Sequence, residues 1–296
     1  MSVLTQDVEA NPTGPLRNPW DSGGLTDVIR RRYLLRLLVS KELTVRYQGS
    51  FVGLAWSYVK PAVRFAMYFW VIGLILTARS ENRGLQIFSA MVMVSFFTNA
   101  LVSGTKSVVK NKTLVTKINL PREMFPVASI AVSLYHMLPT YVLLFFGALL
   151  VGWKPDQMVL PAALLGFGVV VVWGLGTALL FSALNVFFRD MENVVDVVQT
   201  VITWTVPMIY PFSIIKDQLH GIAYQIYLLS PLTNAVLLNG RAFWTPADSH
   251  PAQQAALEMP AHLFERGVIM LVAGIVFVVI AQIVFSRLER RFAERI

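Results

Sequence analysis

Long uncharged stretches, separated by short charged connections, dominate the chain from residue 61 onward. Charge-free runs cover residues 85–105, 124–153, 157–188, 197–215 and 267–286. A helix of about 20 mainly apolar residues spans the roughly 30 Å hydrocarbon core of a bilayer. Another apolar stretch follows Pro61, and Lys60 and Arg64 at its start are long enough to reach back to the headgroups. The pattern predicts an all-α membrane protein with six transmembrane helices, over 61–78, 85–105, 124–152, 158–187, 194–212 and 267–286. The uncharged run 218–240 is not counted as a further span. Ser230-Pro231 breaks it in the middle. Crossing there would also place Arg287, Arg290, Arg291 and Arg295 outside, against the positive-inside bias. Two short re-entrant helices, dipping into the membrane from outside and shielded by protein, fit that run better.

Ahead of the first span, residues 25–48 read as a leucine-rich surface helix carrying Arg30, Arg31, Arg32, Arg36, Lys41 and Arg46. Its amphipathicity is imperfect. Leu34, Leu38 and Val45 share a face, but Lys41 and Glu42 intrude on its edges. Residues 1–24 are polar and rich in Pro, Gly and Asn, which reads as a disordered cytoplasmic tail without a cleaved signal. With both termini inside, cytoplasmic segments hold 19 of the 25 Lys and Arg and outer segments hold six. That asymmetry predicts a multi-pass plasma-membrane protein with both termini cytoplasmic. Composition agrees, since 14% of residues are charged against about 25% in soluble proteins, and mean hydropathy is +0.59. The net charge of +8 sits beside the apolar spans, which assigns it to membrane orientation and anionic lipid and argues against nucleic acid as a partner. No cysteine is present, so disulfides, thiolate metal sites and cysteine nucleophiles are excluded.

The residues encode no engine. A phosphate-cradling loop needs G-x-x-x-x-G-K-[ST], and before Lys106-Ser107 neither glycine position holds a glycine, Thr105 standing where the second belongs. His136, His220, His250 and His262 lack metal-ligand spacing, and no paired carboxylates suit glycoside chemistry. No catalytic residue, metal ligand or cofactor is therefore predicted in this chain. His136 reads as a hydrogen-bonded interior histidine, Asp196 as a partner of Arg189, and Asp217, Asp248 and Glu258 as solvated acids. Gly174, Ala178 and Ser182 form a small-residue face for close helix approach. Tyr58, Phe65 and Phe69 fall within about 40° of one another at roughly 100° per residue. Trp204 and Tyr210 flank Pro207. Bundle packing and a wall on which sugar rings stack both fit these aromatics.

The segment over 45–61, VRYQGSFVGLAWSYVKP, resembles the KxRYRGSxLGxxWxxxxP signature of ABC-2 type polysaccharide-export permeases. Asn119-Leu120-Pro121-Arg122-Glu123 is similar to that family's FPRE loop, Phe187-Phe188-Arg189-Asp190 to its FFRD turn, and Ser230-Pro231-Leu232-Thr233 to its NPLT element. The tail RLERRFA over 287–293 also fits. The chain departs at Gln48, where a basic residue is usual, at Asn119, where an aromatic is, and at Ser230, where asparagine is. The likeness is greatest to the actinobacterial branch that exports lipid-linked galactan for the cell wall. It implies a homodimeric channel bound to two copies of an ABC ATPase, which would hold ATP and Mg. A glycan on a polyprenyl diphosphate would be threaded outward. It also implies an interface helix at 25–48, a coupling helix within 106–122 and an external gate region over 213–264. On this reading Arg36, Lys41, Lys106, Lys110, Lys112, Lys117 and Arg122 face the ATPase, and Tyr58, Phe65, Phe69, Trp204 and Tyr210 line the sugar path. An exporter of drugs or small lipids stays open as an alternative. A membrane-embedded glycosyltransferase is a third, without a visible acidic metal or base motif.

Overall fold

The computed structural model describes residues 24–67, 70, 82–117 and 120–295. Among them every regular element is a helix. A short α1 (Leu25–Arg30) leads into α2 (Arg32–Tyr47), and α3 (Trp56–Met67) follows a glycine-containing turn. The bundle is built from α4 (Arg83–Lys110), α6 (Met124–Leu150), α7 (Val159–Phe187) and α13 (Leu263–Glu289). The small α5 (Lys112–Lys117) links α4 to α6, and α8 (Met191–Thr205) follows α7. Four short helices, α9 (Phe212–Gln218), α10 (Gly221–Leu228), α11 (Pro231–Phe243) and α12 (Pro251–Glu258), cap one end; α14 (Phe292–Arg295) closes the chain. Among the described residues four helices, α4, α6, α7 and α13, are long and apolar enough to cross a membrane, or five spans if the bent pair α10–α11 counts as one.

Helix α4 is the centre. In its apolar window 83% of residues are buried, against 22% in α13, whose Val268, Val272, Ile275, Val279 and Ile283 remain exposed. Close approach of α7 to α4 follows from small side chains on both. A Cβ added at Gly104 would lie 2.5 Å from the Ala178 Cβ, and Gly174 sits against Phe96 and Ala100. The Gly174, Ala178 and Ser182 stripe is therefore the α4-facing side of α7. A second apolar cluster at the opposite, basic end joins Val28 and Leu38 to Val108, Val115, Phe125, Ala183, Phe285 and Phe292.

The run 218–240 forms two short helices bent by 77°. Ser230 sits at the break and caps α11, its Oγ accepting from the Thr233 N–H at 3.2 Å, with Pro231 at the first helical position. Helix α11 is buried against α7 and α4. Its Asn239 donates to the Ser89 carbonyl at 2.8 Å and accepts from Tyr141 Oη at 3.1 Å. Paired in this way, a polar group in an apolar interior is satisfied and fixes register. At the same end Arg241 bonds Asp156, and that bond holds the Asp156 carboxyl below the ordinary carboxylate range.

Four expectations need correction. The helix expected over 194–212 stops at Thr205, because Pro207 pushes Val206 into an extended conformation and Pro211 precedes the separate α9. The surface helix expected over 25–48 is divided at Arg31. Its buried face is Val28 and Leu38 with Leu34, Leu35 and Val39, while Val45 is 54% exposed. Finally, Glu258 is not solvated. It is buried and accepts from the Ser213 N–H at 3.1 Å and Ser213 Oγ at 2.8 Å, whereas Asp217 is exposed and Asp248 accepts from the His250 N–H. Residues 68–69 and 71–81, which include Phe69 and most of the expected first span, lie outside the described residues, as do residues 1–23 of the expected tail and Asn119.

Candidate substrate groove and docking surface

Asn99, Ser103, Lys106 and Lys110 follow one another at i, i+4, i+7 and i+11 along α4, so they share one face. Asn99 and Ser103 are exposed on a helix that is otherwise mostly buried. Across from them stand Phe125, Ala128, Ser129, Val132 and Ser133 of α6, and Leu38, Glu42, Val45 and Arg46 of α2. The three helices enclose a groove of two confluent cavities, of about 330 and 240 Å³, that share Glu42, Val102, Ser103, Lys110 and Ser129. Polar side chains within membrane-spanning helices mark pathways because they otherwise lack partners.

The serine chemistry is specific. Ser103 Oγ donates to the Asn99 carbonyl, Ser129 Oγ to the Phe125 carbonyl at 3.2 Å, and Ser133 Oγ to the Ser129 carbonyl at 2.9 Å. Ser103 and Ser133 commit their hydroxyl protons one turn back along the helix, and Ser129 Oγ also lies 3.4 Å from the Ser103 carbonyl of α4. All three protons therefore have acceptors within the protein, and oxygen lone pairs are left for the groove. These acceptors stand among apolar side chains, Leu38, Val102, Phe125 and Val132, and offer bonds to hydroxyl donors of a ligand.

At the foot of α2, Tyr47 Oη lies 2.6 Å from Ser57 Oγ, and His136 Nδ1 lies 3.3 Å from Ser57 Oγ and 3.4 Å from Tyr47 Oη. His136 is thus a hydrogen-bonded interior histidine joining α2, α3 and α6. The chain between Tyr47 and Ser57 reverses through Gly49 (φ 76°) and Gly53 (φ 55°), a conformation that side chains with a Cβ resist.

Among the expected path residues, Tyr58 is 52% exposed. Phe65 instead packs edge-on against Phe88, with ring centroids 4.6 Å apart, and sits under Gly147 of α6. Trp204 is 69% exposed at the end of α8, and Tyr210 is half-buried and donates to the Thr205 carbonyl. These aromatics occupy separate places on α3 and near α8, with Phe65 in a packing position.

Most of the expected docking cations have partners within the chain. Lys41 donates to Asn111 Oδ1 at 2.9 Å and Lys110 pairs with Glu42 at 2.7 Å, so the charges that interrupt the apolar face of α2 clamp it to the end of α4. Lys106 pairs with Glu192 at 3.3 Å. Arg122 bonds the Glu289 carbonyl and lies 5.7 Å from the Phe292 ring centroid. Burial lowers its pKa, with Glu289 and Glu123 opposing that shift. Arg36, Lys112 and Lys117 are exposed. Beside Lys112, a cavity of about 430 Å³ is lined also by Asn185, Arg189, Glu192 and Arg295.

Asp196 is exposed and, among the described residues, forms no ion pair with Arg189; Glu192 is the acid of that turn with a cationic partner. Gly104-Thr105-Lys106-Ser107 lies inside α4, where its amides serve the helix and Gly104 faces Ala178. The reading of the residues missed Asn99, Ser103, Ser129, Ser133 and Glu192. The helical spacing of Asn99, Ser103, Lys106 and Lys110 was the available signal.

No family model matches the chain. It is 24% identical over 262 residues to an O-antigen export system permease protein, RfbA, of Klebsiella pneumoniae, covering 88% of this chain and 94% of that relative. Another Klebsiella pneumoniae protein of the same name is 23% identical over 264 residues, with the same coverage. An O-antigen export system permease protein of Myxococcus xanthus is 25% identical over 194 residues, 65% of this chain and 74% of that protein. Along most of its length, then, this helical membrane protein is similar to O-antigen export system permeases.

Proposed function

We propose that this chain is the permease subunit of an ATP-driven ABC transporter that exports polysaccharide across the plasma membrane. The groove with its serine acceptors within an apolar bundle carries the reading, because it offers hydroxyl donors of a ligand polar partners between apolar side chains. Similarity to O-antigen export permeases over nearly the whole chain supports it. In this reading the basic end faces the cytoplasm together with both termini, the capped end faces outward, and α3 and α8 complete a six-span arrangement. The cargo is a glycan on a polyprenyl diphosphate, with cell-wall galactan as the candidate. Two such chains form the channel, and two ATPase subunits supply ATP, Mg and the energy of transport. This chain binds and guides; hydrolysis belongs to the partner.

Depletion of the protein should strand lipid-linked glycan on the cytoplasmic side and deplete the surface polymer, measured by extraction and sugar analysis of both pools. Unchanged surface polymer would refute the reading. A drug-sensitivity phenotype with intact wall polymer would favour the drug-export alternative. Docking is testable separately. Lys112→Glu with Lys117→Glu should reduce ATPase co-purification about tenfold, equivalent to about 1.4 kcal/mol. Undiminished recovery would place the contact elsewhere.

A further inference from the structure

The cavity beside Lys112 stands apart from the groove and shares none of its lining residues. Three cations line it, Lys112, Arg189 and Arg295, and among the described residues none of them forms an ion pair. The one acid of the lining, Glu192, is already matched by Lys106 at 3.3 Å. The cavity therefore carries unbalanced positive charge. Asn185 of the same wall adds a second demand. It is 2% exposed, and its Nδ2 donates to the Thr105 carbonyl at 3.1 Å, which fixes the way the amide faces. Its Oδ1 is left buried with no hydrogen-bond partner. A buried acceptor is costly to leave unpaired, so the lining asks for a donor as well as for negative charge.

Position narrows the ligand further. Val109 and Val186 bring the cavity to the ends of α4 and α7, where two apolar spans run out. Phe188, the neighbour of Arg189, is 59% exposed there. Basic pockets between membrane helices at that level hold anionic headgroups. We propose that this cavity binds the headgroup of an anionic phospholipid that carries a hydroxyl. Arg189, Arg295 and Lys112 hold the phosphate, and the hydroxyl donates to Asn185 Oδ1. Guanidinium groups suit this task because their N–H groups can bond two phosphate oxygens at once. The volume of about 430 Å³ lies within the range of small-ligand sites, about 300–1,000 Å³. A phosphate diester without a hydroxyl would satisfy the cations and leave the amide unpaired. The ligand is a resident lipid rather than cargo, so the inference goes beyond the exporter reading and stands without it.

The test uses the full chain in nanodiscs of phosphatidylcholine doped with a second lipid, and counts the lipid retained after detergent extraction by mass spectrometry. The unaltered protein should retain phosphatidylglycerol about fivefold over phosphatidylmethanol, which has the same charge and lacks the hydroxyl. Arg189→Gln with Arg295→Gln should lower phosphatidylglycerol retention about tenfold. Arg30→Gln with Arg32→Gln removes as much charge from exposed positions on α1 and α2, and should leave retention unchanged. Lys112 is kept throughout, because it also belongs to the docking face. The lipid comparison needs no variant, so the proposal stays falsifiable if the altered protein is unstable. Equal retention of the two lipids, or equal losses in both arginine variants, would overturn the site. Displacement of phosphatidylglycerol by glycerol 3-phosphate would overturn the lipid assignment in favour of a soluble phosphate. Full retention in Arg189→Gln with Arg295→Gln, together with lost ATPase co-purification, would overturn it in favour of acidic side chains of a partner protein.

Discussion

Gly104→Ala should destabilise the protein by about 1–3 kcal/mol, the usual range for forcing a methyl group into a packed interior. Gly104→Leu should prevent α4 from seating against α7. The added Cβ would stand 2.5 Å from the Ala178 Cβ and 2.9 Å from its Cα. The second distance decides the size of the effect, since a Cα cannot move aside as a flexible side chain can. Two long helices must separate, and the packing of Phe96 and Ala100 against Gly174 is disturbed with them. Thermal unfolding of the detergent-solubilised protein measures the loss. Ala178→Gly in the same chain should restore part of it, because only the closest contact is relieved. An unchanged melting temperature in Gly104→Ala would show that the two helices do not approach as closely as described.

Glu258→Ala should be costly at the other end of the molecule, by about 1–3 kcal/mol, the usual cost of leaving buried hydrogen-bonding groups without their partner. The carboxylate is buried, satisfies the Ser213 N–H and hydroxyl, and acts electrostatically on the buried Arg83 guanidinium. Without it Ser213 loses its acceptor, α9 loses its tie to α12, and Arg83 loses a compensating charge. Glu258→Gln should fall between wild type and alanine, since an amide oxygen still accepts from Ser213 while the charge is gone. Equal melting temperatures for all three proteins would remove Glu258 from the structural core of the cap.

The long helices were legible because hydropathy sums over many residues. The charge-free runs coincide with α4, α6, α7 and α13, and the Ser230-Pro231 break falls between α10 and α11. Features set by pairs of distant residues were not legible. Glu258 looks like any loop acid in its own sequence, and its partner Ser213 lies 45 positions away. The charges Lys41 and Glu42 look like flaws in an amphipathic stripe until Asn111 and Lys110 come within reach. Residues 197–215 read as one span because apolar composition hides a backbone constraint, and Val206 is extended under Pro207. The groove was hidden for a related reason. Serine and asparagine barely disturb a hydropathy sum, so Asn99, Ser103, Ser129 and Ser133 pass as ordinary span residues although the three-helix packing turns them toward one cavity.

The continuity of α4 has a mechanical consequence. It runs 28 residues from Arg83 to Lys110 without a proline, about 42 Å at roughly 1.5 Å per residue. Near its start the cap grips it: Asn82 donates to the Ala247 carbonyl, and the Ser89 carbonyl accepts from Asn239. Near its end it is held by Lys106–Glu192 and Lys110–Glu42. An unbroken hydrogen-bonded rod in a close-packed sleeve is stiff along its axis. A push on the basic end is therefore delivered to the opposite end as displacement rather than absorbed as bending, and α4 is the strut through which the two faces of the protein share one motion.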